Sequence, residues 1–199
     1  MRLLAAGVVS RLDIARIALL LTGMAAAVVL RTVVASGRPA ASYPGAVAFC
    51  ALLLALSLAS GWRPQRLAAR ACARHVAVGL GGGAVLCISQ LFHARLLAAV
   101  EAPSRLLVWS ALVALVAVCE EIFFRGALFD VFTGRPWMAT VCTAAAFAAA
   151  HVPLYGWAAL PLDAAAGVWL GALRLLSGGV LAPAVAHTLA DWATGWLHS

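Results

Sequence analysis

Ionisable side chains stand inside three otherwise apolar stretches in the second half of the sequence. They are Glu120, Glu121 and Arg125 in the first stretch, His151 in the second, and His187 with Asp191 in the third. In a membrane-spanning helix such side chains are costly to bury, and by default they mark a functional site. Carboxylates and imidazoles are also the usual general acids and bases of enzymes. These residue types therefore indicate proton-transfer chemistry.

The spacing within the first two stretches predicts which side chains share a helix face. Glu121 and Arg125 are four residues apart with the acid first, so they can neutralise one another as a structural ion pair. Glu120 is turned by about 100° from Glu121 and has no partner in its own helix. It must find a partner on another segment or stay protonated. Phe147 and His151 are also four apart and project from one face.

Counting from the turn at 133–136 predicts that Glu120 and His151 meet. Glu120 lies about 13 residues before this turn and His151 about 15 after it, so both lie roughly 20 Å from one surface. Two adjacent antiparallel helices would place them face to face. His187 lies closer to Gly178 and Gly179, and simple counting fits it less well to this depth.

Each of these residues also has a structural interpretation. Glu120 can be a protonated core carboxyl, and either His151 or His187 can make an interhelical hydrogen bond. A metal site is a further alternative, because two histidines and a carboxylate can bind Zn²⁺ with water in an open position. Its ligands would be Glu120, His151 and His187, although the His-Glu-x-x-His pattern of many zinc proteases is absent.

The amino-acid composition indicates the class of protein to which this chain belongs. The 199 residues are 65% hydrophobic and 11% charged, with a mean hydropathy of +1.02. A soluble domain has roughly 25% charged residues, so soluble and disordered proteins are excluded. The 5 Cys are scattered singly and indicate no disulfide framework. A helical integral membrane protein remains.

The net charge of +7 reflects membrane topology rather than nucleic-acid binding. All 14 basic residues are arginine, and Arg63, Arg66, Arg70 and Arg74 lie together between two apolar runs. This is the pattern of a cytoplasmic loop under the positive-inside rule. With Arg125 set aside because it lies within a predicted helix, a cytoplasmic N-terminus puts nine arginines inside and four outside, Arg31 among the latter. We expect this orientation, a lipid bilayer around the chain, and no nucleic-acid partner.

The hydropathy pattern predicts one all-α membrane domain over 1–199, a polytopic bundle whose motif-bearing core is about 106–197. A spanning helix needs about 20 apolar residues, and some of the seven segments are short or broken. Asp163 is expected at the N-cap of the sixth, which is too short to span untilted, and Gly178 just past its end. The seven segments are roughly Ile14–Ser36, Pro44–Trp62, Val76–Leu97, Leu106–Val131, Trp137–Val152, Asp163–Leu176 and Val180–Trp196.

Three motifs in separate hydrophobic segments resemble the CPBP family, also called the ABI family. They are Glu-Glu-x-x-x-Arg at 120–125, Phe-x-x-x-His at 147–151 and His-x-x-x-Asp at 187–191, and the resemblance covers Val113 to Trp192. This family comprises the type II CAAX prenyl endopeptidases and their bacterial relatives. The resemblance implies an all-helical intramembrane endopeptidase.

The resemblance also implies roles for individual residues. Glu120 would activate water with help from His151, and His187 with the residue four later would stabilise the oxyanion. Glu121 would belong to the catalytic set, and Arg125 and Phe147 would support it. Asp191 departs from the pattern, because relatives often carry Asn there and an ionised Asp cannot donate a hydrogen bond. We therefore expect Asp191 to orient His187 and leave the imidazolium as the donor.

The cofactor and substrate expectations follow from the same resemblance. The family resembles a glutamate-dependent peptidase more than a zinc protease, so we expect no cofactor, with zinc as the alternative. The Ala- and Arg-rich composition without Lys is typical of a bacterial inner-membrane protein. Some bacterial relatives process C-terminal sorting tails and others act in bacteriocin immunity. A peptide substrate in the membrane, cut by a peptidase of the myxosortase kind, is expected.

Two function classes other than a protease stay open. A proton- or ion-coupled transporter would use buried Glu, Arg and His as a relay, although we find no inverted repeat in the sequence. A non-catalytic immunity or peptide-binding protein would not depend on Glu120.

Overall fold

The computed structural model describes residues 11–34, 42–97 and 106–197, and these residues fold as an all-α bundle. The prediction of an all-α polytopic bundle is confirmed. Seven α-helices occur in the described part, and two of them are extended by short helical turns. They are α1 (Arg11–Val34), α2 (Tyr43–Ala59), α3 (Ala69–Leu97), α4 (Leu106–Glu121) with a π-helix (Ile122–Leu128) and a 3-10 turn (Phe129–Phe132), α5 (Pro136–Tyr155), a 3-10 turn (Trp157–Ala159), α6 (Leu160–Ser177) and α7 (Leu181–Leu197).

Length and hydropathy identify five membrane-spanning candidates among the described helices. They are Asp13–Val34, Ala69–Ile88, Leu106–Phe132, Pro136–Tyr155 and Trp157–Ser177, and Tyr43–Ala59 is a shorter apolar helix. Large apolar side chains face outward, and Leu107 is 81% exposed. A lipid-facing surface of this kind is expected for an integral membrane protein.

The sixth segment is longer than the sequence predicts. The expected N-cap at Asp163 is wrong, because α6 begins at Leu160 and Asp163 lies in its first turn. Pro161 is compatible with that turn, where its missing N–H would have no helical partner in any case. With the preceding 3-10 turn the helical run has 21 residues, which is long enough to span. Gly178 ends α6 in the left-handed conformation, with φ of 80°, as predicted.

The basic loop is shorter than predicted. Because α3 begins at Ala69, Arg70 and Arg74 lie in its first turns, and only Arg63 and Arg66 precede the helix. Arg74 donates a hydrogen bond to the Ser177 carbonyl at 3.4 Å, so part of the predicted loop charge contacts α6.

Glycines on α3 allow this helix to pack closely on α7. A Cβ at Gly79 would lie 2.7 Å from the Ala182 carbonyl oxygen, and one at Gly83 would lie 2.8 Å from Leu189 Cδ1. No larger residue fits without displacement, so the small-residue pattern acts here as a helix-packing motif.

The larger hydrophobic core is built by α1, α2, α4, the π-helix and α5. Phe49 of α2, Phe123 and Phe124 of the π-helix and Phe147 of α5 are all buried in it. Helices α1 and α2, neither of which carries a motif, therefore form a wall of the region that contains the ionisable residues.

Candidate active site

The predicted site residues converge from α4, the π-helix, α5 and α7. The buried ones are Glu120, Glu121, Arg125, His151 and His187. Asp191 lies at the edge, and its side chain is 34% exposed. Buried charged groups are stable only when they are paired or hydrogen-bonded, so the partners of each group must be identified.

Glu121 has two tight partners on one oxygen. Its Oε1 accepts a hydrogen bond from Arg125 Nη1 at 2.8 Å, in agreement with the predicted pair, and lies 2.9 Å from His187 Nδ1. Arg125 Nη2 also donates to the Gly167 carbonyl of α6 at 2.9 Å. A Cβ at Gly167 would lie 2.9 Å from Ala144 Cα, so only glycine lets α6 approach α5 this closely. Glu121 and Arg125 therefore tie α6 and α7 to the site.

Phe147 packs between the cationic and imidazole groups. Its ring lies 4.7 Å from Arg125 Cζ, a cation–π contact. Its centroid is 4.3 Å from that of His151 and 5.5 Å from that of His187. Phe147 thus contacts both imidazoles and restricts their orientation.

Glu120 has a much looser environment, with different neighbours at its two oxygens. Oε1 lies 4.0 Å from Arg31 Nη1, on α1. Oε2 lies 4.0 Å from His151 Nε2 and 3.9 Å from His187 Nε2. These separations exceed a direct hydrogen bond but are short enough for one bridging water. The structure brings Glu120 and His151 together, as their matching depths predict, and it adds His187, which counting did not place there.

Hydrogen bonds at the two Nδ1 atoms determine what each Nε2 offers. His151 Nδ1 lies 2.8 Å from the Phe147 carbonyl oxygen, which can only accept, so Nδ1 carries the hydrogen. The neutral ring of His151 then has its lone pair at Nε2, facing Glu120. His187 Nδ1 likewise donates to Glu121, so its Nε2 also faces Glu120. One carboxylate oxygen therefore faces two imidazole nitrogens.

Asp191 is a more distant neighbour of His187. Its Oδ1 lies 3.7 Å from His187 Nε2, beyond hydrogen-bond distance. The hydrogen bond that fixes the His187 ring is made by Glu121 instead. Asp191 therefore affects His187 through its charge rather than through a direct bond.

The backbone that follows the two glutamates is a π-helix from Ile122 to Leu128, which the sequence analysis did not predict. Arg174 Nε from α6 donates to the Arg125 carbonyl at 2.9 Å. A Cβ at Gly126 would lie 2.6 Å from Trp62 Nε1, so the indole occupies the space that glycine leaves. π-Helical turns are frequent at functional sites because they reorient side chains within a helix.

Arg31 is the site residue that the sequence analysis missed. The charge pattern predicts it outside, because it stands near the end of an apolar run, yet it is only 5% exposed and faces Glu120. Nothing in its spacing relates it to the three motifs. Only the packing of α1 against the rest of the bundle brings it to the site.

The described residues contain no group of three or more His, Cys, Asp or Glu side chains arranged to hold a metal ion. A tetrahedral zinc ion with bonds of about 2.0 Å holds its ligand atoms about 3.3 Å apart. The separations of 3.9 and 4.0 Å from Glu120 Oε2 to the two imidazoles are longer.

Comparison of the sequence with known protein families gives a match that contains all three motifs. Residues 102–193 match the family described as Type II CAAX prenyl endopeptidase Rce1-like. The match includes all three motifs and confirms the predicted resemblance to the CPBP family, a family of proteases. No curated protein and no solved structure matches the chain. Helices α1 to α3 lie outside the matched residues.

Proposed function

We propose that this chain, whose motif-bearing helices match a CAAX-type protease family, is an intramembrane endopeptidase with Glu120 as its general base. The observation that carries the proposal is the arrangement around Glu120 Oε2, which faces His151 Nε2 at 4.0 Å and His187 Nε2 at 3.9 Å. A buried carboxylate with loose, water-sized gaps to two imidazoles is suited to proton transfer.

The first step uses a water held between Glu120 and His151. A water about 2.8 Å from each atom fits the 4.0 Å gap, and it donates one hydrogen bond to Glu120 Oε2 and one to His151 Nε2. Glu120 takes a proton from this water while the water oxygen attacks the scissile carbonyl carbon. The same proton then passes from Glu120 to the leaving amine as the C–N bond breaks. Glu120 ends the cycle as a carboxylate.

His187 supplies the stabilisation of the oxyanion in this mechanism. As an imidazolium it donates through Nδ1 to Glu121 and presents Nε2–H to the negative oxygen that develops on the substrate. Glu121 and Arg125 keep the ring in this orientation, and Asp191 adds a negative charge 3.7 Å from Nε2. The hydrogen-bond donor to the oxyanion is therefore His187. Asp191 cannot take this role while it is ionised, because a carboxylate has no hydrogen to donate.

We further propose that the reaction needs no metal. The distances around Glu120 Oε2 fit a bridging water better than a tetrahedral zinc ion. The purified enzyme should keep its activity after treatment with a strong chelator and contain no stoichiometric metal. Loss of activity that zinc restores would instead support the alternative with Glu120, His151 and His187 as ligands.

The proposed substrates are C-terminal tails or other membrane-associated peptides, with bacterial sorting signals of the myxosortase kind as the specific candidate. We place the chain in a bacterial inner membrane with a cytoplasmic N-terminus, supported by Arg63 and Arg66 between α2 and α3. Labelling of a cysteine introduced at Gln65 tests this orientation, and a label that enters only from outside would overturn it.

Mass-spectrometric comparison of protein termini tests the activity itself. Membrane and secreted fractions are compared from cells that carry the wild-type chain, Glu120→Gln or Asp130→Asn at equal expression. Asp130 is a matched control because it lies in the 3-10 turn that follows the π-helix, where its carboxylate pairs with Arg174 at 3.1 Å. Termini that disappear only with Glu120→Gln identify the substrates and the cleavage motif. Identical termini in all three would favour a non-catalytic binding protein or a transporter.

A further inference from the structure

A buried arginine on α1 lies beside the proposed general base. Arg31 is in the last turn of α1 and is 5% exposed, and its Nη1 lies 4.0 Å from Glu120 Oε1. A buried guanidinium is strongly unfavourable unless an anion lies nearby, so this position requires a carboxylate. The match to the protease family begins at residue 102 and does not include α1.

Helix α2 holds Arg31 in place through both its side chain and its backbone. The guanidinium carbon lies 5.0 Å from the centre of the buried Phe49 ring, a cation–π contact. A Cβ at Gly45 would lie 3.1 Å from the Arg31 carbonyl oxygen, so the start of α2 packs directly on this turn. The Arg31 Nε is buried without a hydrogen-bond partner, and the carboxylate found within 4.0 Å of the guanidinium, in the part of the chain that the structure describes, is that of Glu120.

The arrangement gives the two oxygens of Glu120 different tasks. Oε1 faces Arg31, whereas Oε2 faces both imidazole Nε2 atoms. We propose that Arg31 is a positioning residue, whose charge keeps Glu120 ionised and turns Oε1 toward α1, so that Oε2 is the oxygen that receives the proton from water. This inference rests on the proposed function and assigns part of the active site to helices outside the matched residues.

The separation of 4.0 Å matters for this role. Arg125 bonds Glu121 directly at 2.8 Å, and a carboxylate held in that way is stabilised as an anion and is a poor base. Arg31 Nη1 lies 4.0 Å from Glu120 Oε1, about one ångström more than the 2.8 Å between Arg125 Nη1 and Glu121 Oε1. It therefore supplies charge without occupying the lone pairs of the base.

Infrared difference spectroscopy of the purified full chain tests the effect on Glu120 without a substrate. The difference spectrum between wild type and Glu120→Gln identifies the band of Glu120 when Arg31 is present. The difference spectrum between Arg31→Met and the double variant Arg31→Met/Glu120→Gln identifies the band of Glu120 when Arg31 is absent. We expect a carboxylate band in the first and a protonated carboxyl band in the second. Arg31→Lys, which keeps the charge, should restore the carboxylate band, and Arg16→Met makes the same substitution on the same helix as a control.

Cleavage kinetics provide the second readout. Arg31→Met should lower kcat about 100-fold, the lower end of what a general base contributes, with KM changed less than about threefold. Arg31→Lys should recover most of kcat, whereas Arg16→Met should match wild type. A carboxylate band and a kcat equal to wild type in Arg31→Met would overturn the inference. An Arg31-dependent band in a wild-type chain that cleaves nothing would support the effect on Glu120 while rejecting the proposed protease activity.

Discussion

Two neighbouring glutamates lie in opposite environments. On the closed side, Glu121 bonds Arg125 and His187 at 2.8 and 2.9 Å. On the open side, Glu120 has Arg31, His151 and His187 at 3.9 to 4.0 Å. His187 belongs to both sides, since its Nδ1 bonds Glu121 and its Nε2 faces Glu120. Consecutive residues of the same type thus differ completely in how their charges are satisfied.

The difference teaches how a buried site separates stability from reactivity. Direct hydrogen bonds fix the closed side and hold α6 and α7 in position. Gaps the size of one water on the open side leave the base available to a substrate. Rigid support behind a loosely filled reaction centre is the arrangement expected of a preorganised active site.

The largest expected effect comes from the open side. Glu120→Gln keeps the shape of the side chain but removes the base, so kcat/KM should fall by about 10³-fold or more. The thermal unfolding temperature should fall less than in variants of the closed side, because no direct hydrogen bond to Glu120 is lost, although Arg31 loses the carboxylate that it faces. Cleavage kinetics, with a substrate identified from the comparison of protein termini, measure the loss of kcat/KM. Thermal unfolding in detergent measures the change in stability. Activity close to wild type would remove the distinction between the sides.

Substitutions on the closed side should lower the stability of the fold. Arg125→Met leaves the buried Glu121 with His187 as its remaining partner and removes the bond to the Gly167 carbonyl, which should destabilise the fold by about 3 kcal/mol, the lower end of the cost of breaking a buried pair. The double variant Arg125→Met/Glu121→Gln removes both charges and should recover part of this loss. Unfolding of both variants and of wild type in the same detergent measures the difference. Equal stability of Arg125→Met and wild type would contradict a structural role for the pair.

A substitution of His151, on the open side, should reduce activity less than a substitution of Glu120. His151→Gln retains a polar group near the water but loses the Nε2 lone pair that the bond to the Phe147 carbonyl orients. We expect kcat to fall about 100-fold, with stability close to wild type. His75→Gln is a matched control, because His75 is a buried histidine on α3 with no place in the mechanism. Equal losses of activity in the two variants would show that the effect is structural.

Sequence reasoning succeeded where distance along one helix determines the contact. The pairing of Glu121 with Arg125 follows from their spacing, and the meeting of Glu120 with His151 follows from equal counts on either side of one turn. It failed where packing between distant helices decides. An arginine near the end of an apolar run, such as Arg31, has the same sequence pattern whether it faces solvent or a carboxylate on another helix.

The remaining errors have similar causes. The depth of His187 depends on helix tilt and on how α6 ends, which counting cannot supply. Helix α6 begins before the predicted N-cap at Asp163, because Pro161 is accommodated in its first turn. The π-helix after Glu121 has no propensity signal of its own, since Ile122–Leu128 also suits an ordinary helix.

The smallest effect is expected at Asp191, on the rim of the open side. Its carboxylate is 34% exposed and 3.7 Å from His187 Nε2, so solvent weakens its contribution to the imidazolium. Asp191→Asn should keep kcat within about tenfold of wild type, because charge pairs of this exposure contribute about 1 kcal/mol or less.

The pH profile of Asp191→Asn should nevertheless change shape, because a titrating group beside the proposed oxyanion donor is gone. Cleavage rates of Asp191→Asn, Asp130→Asn and wild type across a range of pH measure this change. Loss of all activity at every pH would mean that the Asp191 carboxylate takes part directly in the chemistry. The oxyanion would then depend on more than His187, and the open side would extend to the exposed rim of α7.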